Sequence, residues 1–205
     1  MRKSKADTAE TRKRIIAVAS NMFIRQGLGA TSVADVMVAS GLTQGGFYRH
    51  FESKEQLIAE ASEAAFHGLF DMFDGATAGM AAPEALGVII HRYLHQMQVE
   101  NPVYMCPLAN LSSELSHSDA QVKAVASEGY AGLVKLFASH LMRMHVSDYV
   151  GLAESIISGL VGAVSLSRMA AEASVATAIL ARAEATAHAM IKGADKSKAL
   201  LKSAH

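Results

Sequence analysis

Residues 31–53, Thr-Ser-Val-Ala-Asp-Val-Met-Val-Ala-Ser-Gly-Leu-Thr-Gln-Gly-Gly-Phe-Tyr-Arg-His-Phe-Glu-Ser, constrain the fold more than any other stretch of the chain. Ser32 suits an N-cap, and Val33, Val36 and Met37 follow at i, i+3 and i+4, which gives one apolar stripe. Gly41 ends that helix where the backbone turns left-handed, a conformation that a Cβ would strain. Leu42 plugs the turn, and Thr43 can cap a second helix that carries Phe47 and Phe51 inward. Two short helices joined by a glycine turn form a helix-turn-helix, whose second helix lies in a DNA major groove.

The outward residues of the second helix suit a nucleic acid. Thr43 and Gln44 stand at its N-terminal end, where free N–H groups favour phosphate and side chains reach base edges. Gly45 and Gly46 place no side chain between backbone and duplex, at a cost of roughly 1 kcal/mol each relative to Ala. Tyr48, Arg49 and His50 offer a hydroxyl, a guanidinium and an imidazole to phosphates. An ordinary helical hairpin with a solvated face would share the periodicity, but it would need neither glycine tips nor basic ends.

The flanks extend the pattern. Thr8 to Gln26 reads as a helix with Ile15, Ile16, Ala19, Met22 and Phe23 on one face and Gly27 as its stop. Ser53-Lys54-Glu55-Gln56 is a capping box opening a long helix through Leu57, Ala61 and Ala64. With Ile15-Ile16-x-x-Ala19-x-x-Met22-Phe23-x-x-x-Gly27, Thr31-Ser-Val, Gly41-Leu-Thr and Phe47-Tyr-x-x-Phe51-x-Ser-Lys-Glu-x-Leu57, the chain resembles the TetR family of bacterial repressors. The motifs cover residues 9–60, and the rest is similar only in architecture. The resemblance implies that Thr43, Gln44, Gly46, Tyr48, His50 and Lys54 lie at the DNA and that Thr31 or Ser32 touches its backbone. At Gly46 many relatives carry a small hydroxyl or methyl side chain, so base reading rests on Gln44 and Thr43.

Charge is distributed to match. The 205 residues carry 19 Lys/Arg and 19 Asp/Glu, yet residues 1–54 hold nine basic against four acidic groups, leaving the remainder at −5. A basic head on an acidic body fits a DNA reader joined to an effector module. A single Cys excludes an internal disulfide and Cys-based zinc fingers, and fits a cytoplasmic location. The charged N-terminus lacks the apolar core of a signal peptide. Between Glu154 and Arg168 only Ser155–Ser167 is uncharged, shorter than the roughly 20 residues of a membrane span, so it reads as a buried helix.

Beyond residue 60 the chain reads as all-α, with helices near 54–75, 84–99, 107–116, 119–144, 149–172 and 175–192. Pro83 suits a first turn, Ser118-Asp119 and Ser147-Asp148 suit caps, and Gly75–Gly79 reads as a flexible break. The expected organisation is a basic flexible arm at 1–8, a DNA-binding domain at 9–53 with its motif at 31–50, a helical effector and dimerisation domain at 54–192, and a frayed tail at 193–205.

Ile156, Gly159, Gly162, Ala163 and Leu166 on one helix, with Ile179, Ala183, Ala187 and Met190 on the next, form a stripe rich in small residues. Paired with a second copy it would give a four-helix bundle and a homodimer, although both faces could instead pack inside one protomer. Tyr104 to Glu114 is the expected effector region, with Asn110 and Glu114 one turn apart and His91, Tyr130 and Phe137 as further wall residues. The same polar pair on an exposed face would be ordinary helix surface. The resemblance extends to Cys106, because some repressors of this family with a cysteine at the start of an equivalent helix sense electrophiles; a lone buried Cys is otherwise inert packing. His91 and His95 have the i, i+4 separation of a metal-binding pair, but no third ligand is legible, so they read as structural or solvated and no metal or cofactor is expected. Nucleophile elbow, P-loop and His-Glu-x-x-His patterns are missing, which disfavours an enzyme. The partners expected are operator DNA, a small, mostly apolar effector and a second copy of the chain, with no membrane; a helical adaptor is the rival class.

Overall fold

The computed structural model describes residues 5–96 and 105–203, with side chains for 6–95 and 105–194. It is all-α, 83% helical, with no strand among the described residues. The elements are α1 (Lys5–Gln26), α2 (Val33–Ala39), a 3₁₀ helix (Gln44–Arg49), α3 (Lys54–Thr77), α4 (Ala82–His91), a π-helical turn (Arg92–Gln96), α5 (Pro107–Ser116), α6 (Ala120–Arg143), α7 (Tyr149–Met169) and α8 (Ala173–Ser203). They divide into two compact units, residues 1–70 with 101–129 and residues 71–100 with 130–205. The division runs through α3 and α6 rather than between helices, and it assigns α5 to the unit of α1 and α2, not to an effector domain starting at residue 54.

The first unit is organised around one apolar cluster. Ile15, Ala19 and Phe23 of α1, Val36 and Met37 of α2, Phe47 of the 3₁₀ helix, Phe51, and Leu57 and Ala61 of α3 are all buried in it, joined by Leu111 and Leu115 of α5 and Val122 of α6. Full burial of Phe47 and Phe51 contributes about 1.5–3 kcal/mol each, which makes them the anchors of the reader. Gly27 at φ 91° stops α1, and Gly41 at φ 69° stops α2, as their positions in the sequence require. Residues 5–8 belong to α1, which corrects the flexible arm; residues 1–4 lie outside the described ones.

In the second unit α7 and α8 pack along each other, burying Ile156, Ile157, Leu160 and Val164 of α7 with Leu180, Ala187 and Ile191 of α8. Asp148 caps α7, its carboxylate accepting from the Gly151 N–H at 3.0 Å. Pro83 sits in the first turn of α4, as its missing N–H favours. Two expectations are corrected here. Gly75 is helical, because α3 continues to Thr77 and breaks only near Gly79 at φ 76°. The tail does not fray at Gly193, since α8 continues to Ser203 through a run of Ala, Lys and Leu, all strong helix formers. The helix expected over 84–99 is α4 followed by the π turn, and residues 97–104 lie outside the described ones.

Candidate nucleic-acid interface

The reader is assembled from the turn outward. Ser32 caps α2, its hydroxyl accepting from the Asp35 N–H at 3.1 Å, while the Asp35 carboxylate accepts from the Ser32 N–H at 3.0 Å. The Ser32 hydroxyl also donates to the Asp35 carboxylate at 2.5 Å, and this bond foremost, then the one from the Ser32 N–H, holds Asp35 below the usual carboxylate range. The Leu42 N–H returns to the Met37 carbonyl at 2.9 Å and closes the turn. The second element is a six-residue 3₁₀ helix rather than an α-helix, and Thr43 at its N-cap makes no side-chain cap bond. Two adjacent glycines weaken any α-helical preference, and a tighter single turn still delivers Phe47 to the core.

Three residues per turn align Gly45 with Tyr48 and Gly46 with Arg49. Phe47 stacks on Phe51 at 5.5 Å between ring centroids and meets Tyr48 edge-on at 5.2 Å. With Phe47 inward, Thr43, Gln44, Gly45, Tyr48 and Arg49 are exposed; Tyr48 is 78% exposed, unusual for a large aromatic ring. Nothing lies within 4 Å of a Cβ built on Gly45, and one on Gly46 would meet only the Met37 methyl at 3.6 Å. Ser32 is exposed beside this surface in sequence, and His50 is half-buried.

Some predicted contacts are occupied elsewhere. Thr31 is fully buried and donates its hydroxyl to the Gly27 carbonyl at 2.8 Å, which corrects its expected role at the DNA backbone. The Lys54 ammonium donates to the Leu28 carbonyl at 2.7 Å, so it holds the α1–α2 connection as well as offering charge. Arg12, part of the basic head, is turned inward. It pairs with both Glu60 carboxylate oxygens, donates from Nε to the His50 carbonyl at 3.2 Å and lies 4.6 Å over the Phe51 ring. The sequence reading missed Arg12–Glu60, whose members are 48 residues apart, and Asp35, for which the Ser-x-x-Asp spacing was the available signal.

The expected effector residues do not converge within either unit. Cys106 is buried at the N-cap of α5, ahead of Pro107, in the first unit. Asn110 donates to the Cys106 carbonyl at 2.9 Å, and its Oδ1 is buried without a hydrogen-bond partner among the described residues. Glu114, open to either reading from sequence, instead accepts from the Gly29 N–H at 2.8 Å and so holds the loop before α2. Tyr130 and Phe137 belong to the second unit, where Tyr130 lines an open cavity of about 850 Å³ with Asp148 and Ser155, and Phe137 is core. Tyr104 lies outside the described residues.

The dimer stripe divides in the same manner. Ile156, Ala163 and Ala187 are buried within their own unit, because α7 and α8 use them to pack on each other, and that corrects their assignment to a partner-facing surface. Gly159 and Leu166 are exposed, and Gly162, Ile179, Ala183 and Met190 are half-buried. By length and composition α7 is long and apolar enough to cross a membrane; its packing against α8 leaves a second apolar face open rather than the uniformly buried helix expected.

His91 is not a wall residue. Its Nδ1 lies 3.0 Å from one Glu184 oxygen, and His95 Nε2 lies 2.9 Å from the other. Burial alone would raise the Glu184 pKa, but hydrogen bonds to His91 and His95 outweigh it and hold the carboxyl below its usual range.

Residues 15–61 match the family model described as bacterial regulatory proteins, tetR family. The transcriptional regulator AcrR of Shigella flexneri is 40% identical over 62 residues, 30% of this chain and 29% of that protein. The repressor KstR2 of Mycolicibacterium smegmatis is 35% identical over 65 residues, 32% of each chain. The matched stretch thus spans under a third of these relatives' length. A TetR regulator from Chloroflexus aurantiacus superposes with a TM-score of 0.78 at 25% identity, covering 91% of this chain and 96% of its own. The reduced form of NemR from E. coli shares the fold at a TM-score of 0.75 and 17% identity, over 87% of this chain and 95% of that one. The capped helix, glycine turn, buried Phe pair and exposed reader lie inside the matched stretch, so residues 15–61 are similar to the N-terminal part of the tetR family of bacterial regulatory proteins, and the whole chain shares the fold of its solved structures.

Proposed function

We propose that this protein is a transcriptional repressor that binds a twofold-symmetric operator as a homodimer and is released by a small molecule. The observation that carries the reading is the exposed row Thr43, Gln44, Gly45, Tyr48 and Arg49, held on a fixed base by the buried Phe47 and Phe51. In this reading Gln44 and Thr43 read base edges, Tyr48 and Arg49 grip phosphates, and Gly45 admits the sugar–phosphate chain closely. Ser32, Gly46, His50 and Lys54 complete the interface.

The dimer would form through the open side of α7 and α8. Among the described residues, nothing but the adjoining residues and backbone of α7 itself lies within 4 Å of a Cβ built on Gly159 or Gly162, and Leu166 and Met169 stand exposed beside them at 53% and 75%. Glycines with open space let a second helix approach, and the flanking apolar side chains supply the area to bury. Twofold pairing would set two readers about 34–36 Å apart, one turn of the duplex.

Release would work through α5. The Glu114 carboxylate holds the loop before α2, and Asn110, one turn earlier, offers a buried acceptor without a partner among the described residues. A ligand donor engaging Asn110 would shift α5 and with it the loop that positions α2. The ligand must bind the DNA-incompetent arrangement more tightly, since equal affinity for both shifts nothing. A hundredfold release needs about 2.7 kcal/mol of such preference, within the range of known coupling.

Sedimentation and gel mobility shift on duplex DNA from upstream of the protein's own gene test the proposal. A dimer that shifts this DNA, with affinity falling steeply as salt rises, is expected. A monomer that ignores it would refute both halves.

A further inference from the structure

The second unit holds a cluster that the DNA-reading account leaves unused. His91 ends α4, His95 lies in the π turn that follows, and Glu184 comes from α8. The His91 and His95 rings stand 4.9 Å apart, and one Glu184 oxygen faces each of them at 3.0 and 2.9 Å. One ligand atom from each residue lies within 4.8 Å of the other two. We propose that His91, His95 and Glu184 form a binding site for a divalent transition-metal ion of the Zn²⁺ class, which clamps α4 and the π turn to α8.

Three features converge on this assignment. The donor set is two imidazole nitrogens and a carboxylate oxygen, the His₂Glu set that suits Zn²⁺ and other divalent ions with nitrogen affinity. The spacing fits as well. Metal–ligand bonds of about 2.1 Å put tetrahedral ligand atoms about 3.4 Å apart; the two His–Glu184 distances are 3.0 and 2.9 Å, and all three ligand atoms lie within 4.8 Å of one another. The site is also reachable, because the side chains of His91, His95 and Glu184 keep 53%, 27% and 25% of their surface exposed. An entering ion would retain a water in its remaining position, and each neutral imidazole would present a lone pair to it while keeping its one proton on the other ring nitrogen.

The π turn explains how both rings reach one carboxylate. The turn carries an extra residue compared with α-helical winding, and single π turns recur at functional sites. It follows His91 directly and contains His95. On α8, His188 lies one turn beyond Glu184 and faces Gly87 of α4, a Cβ there meeting its Cε1 at 3.7 Å. Because it belongs to the same packing surface without joining the three-ligand cluster, it is a control for general disturbance of α8.

The test uses the full-length protein, freed of metal by chelation and titrated with Zn²⁺ by calorimetry and with Co²⁺ by visible absorption. One ion per chain is expected, with cobalt bands of nitrogen–oxygen coordination and no sulfur charge-transfer band, since Cys106 is not a ligand. Glu184→Gln and His95→Ala should each weaken binding at least about 100-fold, the upper end of what loss of even an outer-shell partner costs. His188→Ala should leave it within about threefold. Zn²⁺ at a hundred times its Kd should raise the Tm of the wild-type chain by about 5–10 °C and that of Glu184→Gln by at most about 2 °C. Circular dichroism confirms that each variant is folded. Wild-type protein that takes up no metal, or Zn²⁺ affinity that survives Glu184→Gln and His95→Ala, would overturn the assignment.

Discussion

Arg12→Ala separates packing from DNA contact on the basic head. The substitution removes a two-pronged guanidinium pair with Glu60, a bond to the His50 carbonyl and a cation over the Phe51 ring. The pair is partly screened, with 33% and 21% of the two side chains exposed, so about 1 kcal/mol is appropriate for it. A charge-assisted bond to a backbone carbonyl adds about 1–2 kcal/mol, and the ring contact about 0.5–1 kcal/mol. The expected loss is about 2–4 kcal/mol. With a urea m-value of about 2 kcal/mol/M, the unfolding midpoint followed by circular dichroism should fall by about 1–2 M. Glu60→Gln in the Arg12→Ala background should cost about 1 kcal/mol less than in the wild type, because its partner is already gone. Arg12 is engaged within its unit, so the salt dependence of DNA binding should keep its slope in Arg12→Ala. Arg49→Ala should lower that slope by about 2 for a dimer carrying two copies. An Arg12→Ala midpoint unchanged within about 0.2 M, together with a reduced salt slope, would refute the reasoning by placing Arg12 on phosphate.

Gly41→Ala should destabilise the chain by about 1–2 kcal/mol although no atom crowds the site, because φ of 69° is strained for a residue with a Cβ; urea unfolding measures it. Gly45→Ala should instead stabilise by about 0.4–1 kcal/mol, since nothing blocks the methyl, while weakening operator binding in an anisotropy titration; unaltered DNA affinity would remove the close-approach role. Burial, and then the nearby Arg143, depress the pKa of His140, with Asp74 opposing. The unfolded chain therefore binds a proton there that the folded chain refuses. Stability should fall as pH drops from the ordinary His value near 6.5 towards the lowered folded one, and His140→Gln should flatten that part of the profile measured by urea midpoints.

The reader was legible because its signals are local. Ser32, Gly41 and the Phe47–Phe51 spacing sit within twenty residues, and each answers to backbone rules that hold whatever surrounds it. The form of the second helix was less legible, because Gly45 and Gly46 leave propensity close to indifferent between an α turn and a 3₁₀ turn. Long-range pairings were invisible for a physical reason. Glu184 lies 89 residues from His95, Glu114 lies 85 from Gly29, and no periodicity encodes which helix faces which. The same limit applied to the small-residue stripe, since Ala163 and Ala187 look alike in sequence whether they pack within one chain or between two.

Selection of DNA from a randomised duplex pool by the full-length protein, read out by sequencing, tests the central claim most directly. The account predicts an enriched sequence with twofold symmetry, its half-sites one helical turn or a multiple apart. It also predicts that Gln44→Ala loses preference at one base pair per half-site by about 1–3 kcal/mol, while Tyr48→Phe lowers affinity and selects the same sequence. A pool that emerges without enrichment, or a consensus that Gln44→Ala leaves intact, would contradict it.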